Sequence, residues 1–407
     1  MDLSLYTNFS NSLAKQESQI SLLQQEISTG LAVQTPDQNP AAYAAAAIGQ
    51  DQVASLASDN TNQAAIQSQL GTVSDTYGSV SSLLNSVQSV VEQALNATTN
   101  PQDMASLATQ VQVDQQQMLS LANTQGTSGA YIFAGTRGSI EPFQRDPTTG
   151  QIVYLGDGGS SQAAISPSAQ ASAVTNGEVF VSGLSGDGTA SITAASSNTG
   201  TATLISEGVA NSAQASAFQQ GSGNITIAFA QGASGMTYSA TDASGNVVAS
   251  GTVSSAADST TSLQLAGSTY QIQGSPAAGD SFTLSPARPQ SVFTLLQNLV
   301  STLSTASSGS AGAAQTRQAL NQSLAGLAQY QSDVLTAQAQ TGVTLQAVQT
   351  ASTSNATASA TIQTADNAAT AVDMPTALTN LDQSMTAMEA AMKSFAAVQG
   401  LSLFQYL

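Results

Sequence analysis

Leu378-Thr379-Asn380-Leu381-Asp382-Gln383-Ser384-Met385-Thr386-Ala387-Met388-Glu389-Ala390-Ala391-Met392-Lys393-Ser394-Phe395 decides the reading of this chain. Its large apolar residues, Leu378, Leu381, Met385, Met388, Met392 and Phe395, keep a 3-4-3-4-3 spacing. That period lays a narrow apolar seam along a helix, the pattern of coiled-coil packing. The other end of the chain answers it. Leu13, Ile20 and Ile27 recur every seven residues, with Leu23 at the interleaved offset. Gln, Ser and Ala cover the backs of both helices, with few charges. Two seams at opposite ends can supply one another and can also face neighbouring copies. Both are read as assembly surfaces, and the chain as one that works by assembling.

Working inward, the first helix stops at Ser28-Thr29-Gly30, with Gly as the terminator. A turn-rich link, Thr35-Pro36-Asp37-Gln38-Asn39-Pro40, follows. Asn39 suits an N-cap and Pro40 the first helical position. An Ala-rich helix then runs to about residue 97, a length of about 80 Å. Its second half carries Leu70, Val73, Tyr77, Val80, Leu84, Val87 and Val91 on one face. Asn100-Pro101 restarts a third helix bearing Met104, Leu107, Val111, Met118 and Leu121. For these inner helices the stripe reads as core.

From about residue 130 to 286 the chain turns rich in Gly, Ser and Thr. Short alternating runs at 151–155, 224–229, 236–241, 247–248, 269–272 and 281–284 sit between turn signals, so an antiparallel β region is expected. Residues 183–222 are weak in both patterns and stay open between loop and strand. Helical periodicity returns with Val292, Leu295, Leu296, Leu299 and Leu303. A long helix follows from about 313 to 370, and Asp373-Met374-Pro375 starts the last one. The expected class is α+β: a long antiparallel helical bundle or coiled coil from both chain ends, with an inserted antiparallel β domain. The expected segments are 1–40, a terminal helix; 41–140, the first half of a helical rod; 141–286, the β insert; 287–370, the second half of the rod; and 371–407, the closing helix.

Composition removes several function classes. Among 407 residues there is no Cys, His or Trp, and 6 basic residues face 24 acidic ones, for a net charge of −18. Phosphate backbones need Lys/Arg stripes, so nucleic acid is not an expected partner. An anionic membrane surface is disfavoured for the same reason, and no run reaches the roughly 18 apolar residues of a membrane span. Triads built on His or Cys are impossible, and Lys15 and Lys393 lie on the terminal helices rather than beside a cleft. Gly156-Asp157-Gly158-Gly159 lacks the following helix that would cradle phosphate, and reads as a hairpin turn. Asp157, Asp242 and Asp280 match no EF-hand spacing. No enzyme, cofactor or metal is expected. Met1-Asp2-Leu3-Ser4-Leu5-Tyr6 lacks the basic and apolar regions of a Sec signal, so any export is expected by another route.

Several stretches resemble the flagellin superfamily and, within it, the hook-associated proteins of type 3. Ile27-Ser28-Thr29-Gly30 with Thr35-Pro36-Asp37-Gln38-Asn39-Pro40-Ala41-Ala42 is similar to that superfamily's STG…PxDxPA signature, with Asn39 where Asp is commoner. Gly129-Ala130-Tyr131-Ile132-Phe133-Ala134-Gly135, followed by Pro142-Phe143, resembles the GxYxFxG segment of the junction type. Tyr154-Leu155-Gly156-Asp157, Gly177-Glu178-Val179-Phe180 and Pro276 to Leu284 resemble further family stretches, and Leu401 to Leu407 resembles a terminal LSLFxYL. The resemblance implies a flagellin-like fold in which paired terminal helices line an inner tube and the β insert faces outward. It implies a ring of copies on the hook tip that templates flagellin. It also implies an adjacent hook-associated protein as neighbour, export through the flagellar type III apparatus, a cytosolic chaperone, and a place outside the cell. The inner-tube residues would be Leu13, Ile20, Leu23, Ile27, Leu378, Leu381, Met385, Met388, Met392 and Phe395, with Leu403 and Phe404. The alternatives are flagellin itself and a secreted adhesin with a β head on a helical stalk.

Overall fold

The computed structural model describes residues 3–96, 100–254, 260–307 and 309–404, with side chains from Tyr6 to Ala397. The fold is α+β, as expected: long helices come from both ends of the chain and an antiparallel β region is inserted between them. The chain divides into two compact units.

The first unit comprises 1–63, 164–169 and 349–407. Helix α1 (Leu3–Thr29) ends where expected, with Gly30 at φ +74° and its N–H on the Glu26 carbonyl. Only glycine adopts that left-handed terminator without strain. Helix α2 (Pro40–Asn96) begins at the predicted cap, where Asn39 Oδ1 accepts from Ala42 N at 3.1 Å. Within this unit α2 approaches the end of α7 (Ser310–Thr370) at Gly49. Gly49 faces the Asp366 carboxylate. Gln63 Nε2 and Asn355 Nδ2 both donate to the carbonyl of Ile165, and Asn62 donates to that of Ala164. Two strands of backbone join here. Leu31 bridges Ala371, Ala32 N donates to Thr370 O at 2.8 Å, and Val372 N donates to Gly30 O at 3.0 Å. Helix α8 (Met374–Phe404) then packs along α1.

The second unit comprises 64–163 and 170–348. The expected faces of α2, α3 (Pro101–Ala122), α6 (Val292–Ser304) and α7 meet in one core containing Val73, Leu84, Val91, Val111, Met118, Leu296, Leu299 and Leu327. Asn100 caps α3, accepting from Gln102 N with Pro101 in the first turn, and Ser291 caps α6, accepting from Phe293 N. Strands β1 (Phe143–Arg145) and β2 (Ile152–Tyr154) form a hairpin; β3 (Gln162–Ser166) pairs with β4 (Ala169–Ser172), a hairpin whose tip, 164–169, belongs to the first unit. After the short helix α4 (Glu178–Val181), two antiparallel sheets form a sandwich. The larger has the order β5 (Ala190–Ala194), β12 (Ser281–Pro286), β7 (Ile225–Gly232), β8 (Gly235–Thr241), β9 (Val247–Thr252). The smaller has the order β10 (Thr260–Leu265), β11 (Ser268–Gln273), β6 (Thr203–Val209). Phe229, Phe282, Leu204, Tyr270 and Ile272 fill the space between them.

One open stretch takes form and one expectation changes. The weak stretch 183–222 holds β5, β6 and α5 (Ser212–Gln220), the last capped by Asn211 Oδ1 on Ala213 N and Gln214 N. Gly156 to Gly159 is not a hairpin turn. The β1–β2 turn lies earlier, at 146–151, where Asp146 Oδ1 accepts from Thr148 N and Thr149 N. An Asp side chain that mimics the turn backbone makes that site the better corner.

Candidate assembly surfaces

The α1–α8 pair is antiparallel, fixed at one end by the Leu31–Ala371 bridge and at the other by aromatic stacking. Phe9 and Phe395 lie parallel, with centroids 4.0 Å apart and planes 3° apart, and Tyr6 tilts against Phe395 at 6.0 Å. Ala377, Ser384 and Ala391 are the small residues of α8 that are buried or half-buried along this pair, and small side chains let helix backbones approach.

This geometry splits the C-terminal stripe. Leu381, Met388 and Phe395 turn toward the pair and are half-buried, as are Leu13, Ile20, Leu23 and Ile27 of α1. Leu378, Met385 and Met392 point away and are exposed, at 51%, 53% and 46%. Six residues at 3-4 spacing therefore form two edges. One is shared with α1, where Ala377, Ser384 and Ala391 fill the intermediate positions, and the other faces outward. A two-helix pair cannot enclose more than one edge, because each side chain has a single neighbouring helix against which to lie. Phe9 belongs to the α1 seam and was missed, although it continues that seam four residues before Leu13. The side chains of Leu403 and Phe404, like the rest of 398–407, lie outside the described residues.

In the second unit, the stretches that resemble the junction type converge in space. Phe133, Phe143, Phe180 and Phe293 are all buried and form edge-on and tilted pairs at 5.1–5.5 Å, with Tyr77 beside Phe133. Tyr154 closes the cluster. Its hydroxyl lies 3.0 Å from the carbonyls of Phe133 and Asp157 and accepts from Gly177 N at 3.0 Å. Burial pushes the Tyr154 hydroxyl up, with Asp157 and Glu178 adding to the shift. Gly177 is required by packing: a Cβ there would lie 2.6 Å from the Phe143 ring. Asp157 accepts from Thr136 N at 2.8 Å and Thr136 Oγ1 at 2.5 Å, with Arg137 Nε at 3.8 Å. The Thr136 hydroxyl and amide hold its carboxyl below the usual range. Asp280 is spent likewise on Thr199 N, Gly200 N and Ala277 N, and Asp242 on Ser244 N and Asn246 N. All three carboxylates that sequence reading weighed as cation ligands are thus committed to backbone amides.

Residues 2–137 match the family described as the bacterial flagellin N-terminal helical region. The chain is 29% identical to flagellar hook-associated protein 3 of Escherichia coli over 122 residues, which is 30% of this chain and 38% of that protein. It is 32% identical to flagellar hook-associated protein 3 of Salmonella typhimurium over 133 residues, 31% of this chain and 40% of that one. These matches span about two fifths of the length of either relative. The fold likeness reaches further. The flagellar junction protein FlgL from Legionella pneumophila superposes with a TM-score of 0.70 at 25% identity, covering 80% of this chain and all of that one. The chain is flagellin-like and resembles the hook-associated junction proteins. The stretches quoted for the resemblance up to Phe180 are the ones that build the Gly30 terminator, the Asn39 cap and the aromatic cluster, so the likeness is carried by residues with identifiable structural work. Among the described residues, no helix is long and apolar enough to cross a membrane.

Proposed function

We propose that this chain is a structural subunit of the bacterial flagellum at the hook–filament junction. Copies assemble as a ring on the hook tip through the α1–α8 pairs, and the ring templates flagellin polymerisation. The neighbours are other copies, an adjacent hook-associated protein on the hook side and flagellin on the filament side. A type III export chaperone holds the C-terminal helix before assembly, and the protein ends outside the cell. The observation that carries the reading is the likeness in fold over the whole of a junction protein. The outward edge of Leu378, Met385 and Met392 supports it, since an apolar row left in water on a helix suits a surface that is later covered. The inner-tube residues proposed are those of both helices: Leu13, Ile20, Leu23, Ile27, Leu378, Leu381, Met385, Met388, Met392, Phe395, Leu403 and Phe404.

Electron microscopy of a strain lacking this gene, with the medium assayed for flagellin, tests the reading. Bare hooks with unpolymerised flagellin in the medium are expected. Bare hooks without released flagellin would make the chain a filament subunit, and normal filaments would remove the flagellar role.

A further inference from the structure

Of the four end strands of the two sheets, β5 and β6 lie against α7. An edge strand presents unpaired N–H and C=O groups and templates pairing with another chain. Here a row of amides one helix face long meets them. Gln318, itself 3% exposed, accepts from Leu204 N at 2.7 Å and donates to Leu204 O at 2.9 Å. A primary amide carries one acceptor and two donors in a plane, so it reproduces both bonds that a neighbouring strand would make to that residue. One turn on, Gln322 Oε1 accepts from Ile192 N of β5 at 3.0 Å. One turn back, Gln315 Nε2 donates to the carbonyls of Ser196 and Asn198, which follow β5, at 3.1 Å each. The two strands are tied to each other by Asp187, which accepts from Ala190 N of β5 and from Ser206 Oγ of β6. Charge does not guard these edges: β5 carries none, and β6 has a single acidic residue, Glu207.

We propose that Gln315, Gln318 and Gln322 of α7 act as a surrogate strand, an autoinhibitory contact that keeps β5 and β6 from pairing with a second copy of this chain. Copies then associate only through other surfaces. In a protein with so few charges the usual protection of a sheet edge by Lys is missing, and backbone-like amides on an adjoining helix replace it.

The test uses the full chain, which has no cysteine of its own. Thr193→Cys places a thiol at an exposed position of β5. With the glutamines intact, oxidation should give disulfide-linked dimer at background level, and the Ile192 and Leu204 amides should exchange slowly with deuterium. With Gln318→Ala and Gln322→Ala added, linked dimer should become the main species at micromolar chain. In freshly diluted monomer the two amides should exchange about tenfold faster, the effect of one lost hydrogen bond. Faster exchange without dimer would overturn the proposal, as would amides that stay protected in the double variant's monomer. If the double variant loses its β circular-dichroism signal, Gln318→Glu takes its place. It keeps an acceptor for Leu204 N and loses the donor to Leu204 O, and a folded Gln318→Glu chain that gives no dimer would equally overturn it.

Discussion

The two units of this chain bury themselves in different ways. The second closes its own core. Leu84, Val87, Val91, Val111, Met118, Leu296, Leu299 and Leu327 are all essentially inaccessible, and a separate apolar cluster fills the sandwich. The first has no comparable cluster among its described residues. Its buried apolar side chains are Ala46, Leu56, Ile165 and Ala377, and much of its interior is polar: Asp59, Gln63, Asn355 and Thr370. Its larger residues lie half-buried along α1–α8 or exposed. Burial of apolar area at about 25 cal/mol per Å² is what offsets ordering entropy. One unit meets that condition within a single chain, and the other leaves the apolar edge of Leu378, Met385 and Met392 in water. In the proposed assembly, that edge is the part that neighbouring copies complete.

The sharpest way to break this contrast is to charge the two edges of α8 separately. Met385→Asp places a carboxylate on the outward edge. It should abolish polymer formation in electron micrographs while leaving the protease pattern of the free chain unchanged. Leu381→Asp strikes the edge shared with α1. It should also abolish assembly, and in the free chain it should speed cleavage within both terminal helices. If Met385→Asp assembles normally, the outward edge is not an interface and the contrast fails. If Leu381→Asp and Met385→Asp behave alike in the free chain, the split of the stripe is wrong.

Two core substitutions measure the other side. Leu296→Ala removes a fully buried side chain at the α6 contact. It should lower the unfolding free energy by about 2–5 kcal/mol, read from denaturant melts. Gly177→Ala forces a methyl group against the rings of Phe143 and Tyr154. Overpacking of that kind costs about 1–3 kcal/mol, and the same melts should show it. A loss of assembly without loss of stability in either variant would mean that the aromatic cluster is itself a contact between copies.

The legible part of the fold follows from the same contrast. The inner helices were readable because Leu70 to Val91, Val292 to Leu303 and Leu320 to Val348 place large apolar groups at helical spacing, and burial then follows. Caps at Asn39 and Asn100 were readable because a side-chain acceptor before Pro has one common use. The stretch 183–222 was not, because β5 and β6 are short and mix small, polar and branched residues, and their edge partners are Gln322 and Gln318, more than a hundred residues away. Only the Asn211 cap of α5 left a local signal. The pairing of α8 was half legible. Its large residues announced a seam, but which of them face α1 is set by Ala377, Ser384 and Ala391, each one position before a large residue that points outward. Small residues that permit close approach leave no trace in a search for large ones.

The smallest effect lies at the clasp between Asp157 and Thr136. Hydrogen bonds from the Thr136 hydroxyl and amide favour the ionised carboxyl, so its folded pKa sits below the unfolded one. A depressed acid contributes stability above its unfolded value and loses it as pH falls through the folded value. Asp146 and Asp242 are shifted in the same direction by their own turns. A pH profile of the whole chain sums these with the oppositely shifted Asp114 and Asp333, so only a difference isolates one. Asp157→Asn keeps the shape and removes the charge. At about pH 7 the wild-type chain should melt slightly higher than the variant, and the gap should close as pH falls below the ordinary carboxylate range of about 4. Asp114 should do the reverse. Burial raises its carboxyl, and its Oδ2 has no hydrogen-bond partner. Asp114→Asn should therefore raise the melting temperature at pH 7 and lose that advantage in acid. The two profiles must cross in opposite senses, and parallel profiles would mean that neither carboxylate feels the environment its neighbours define.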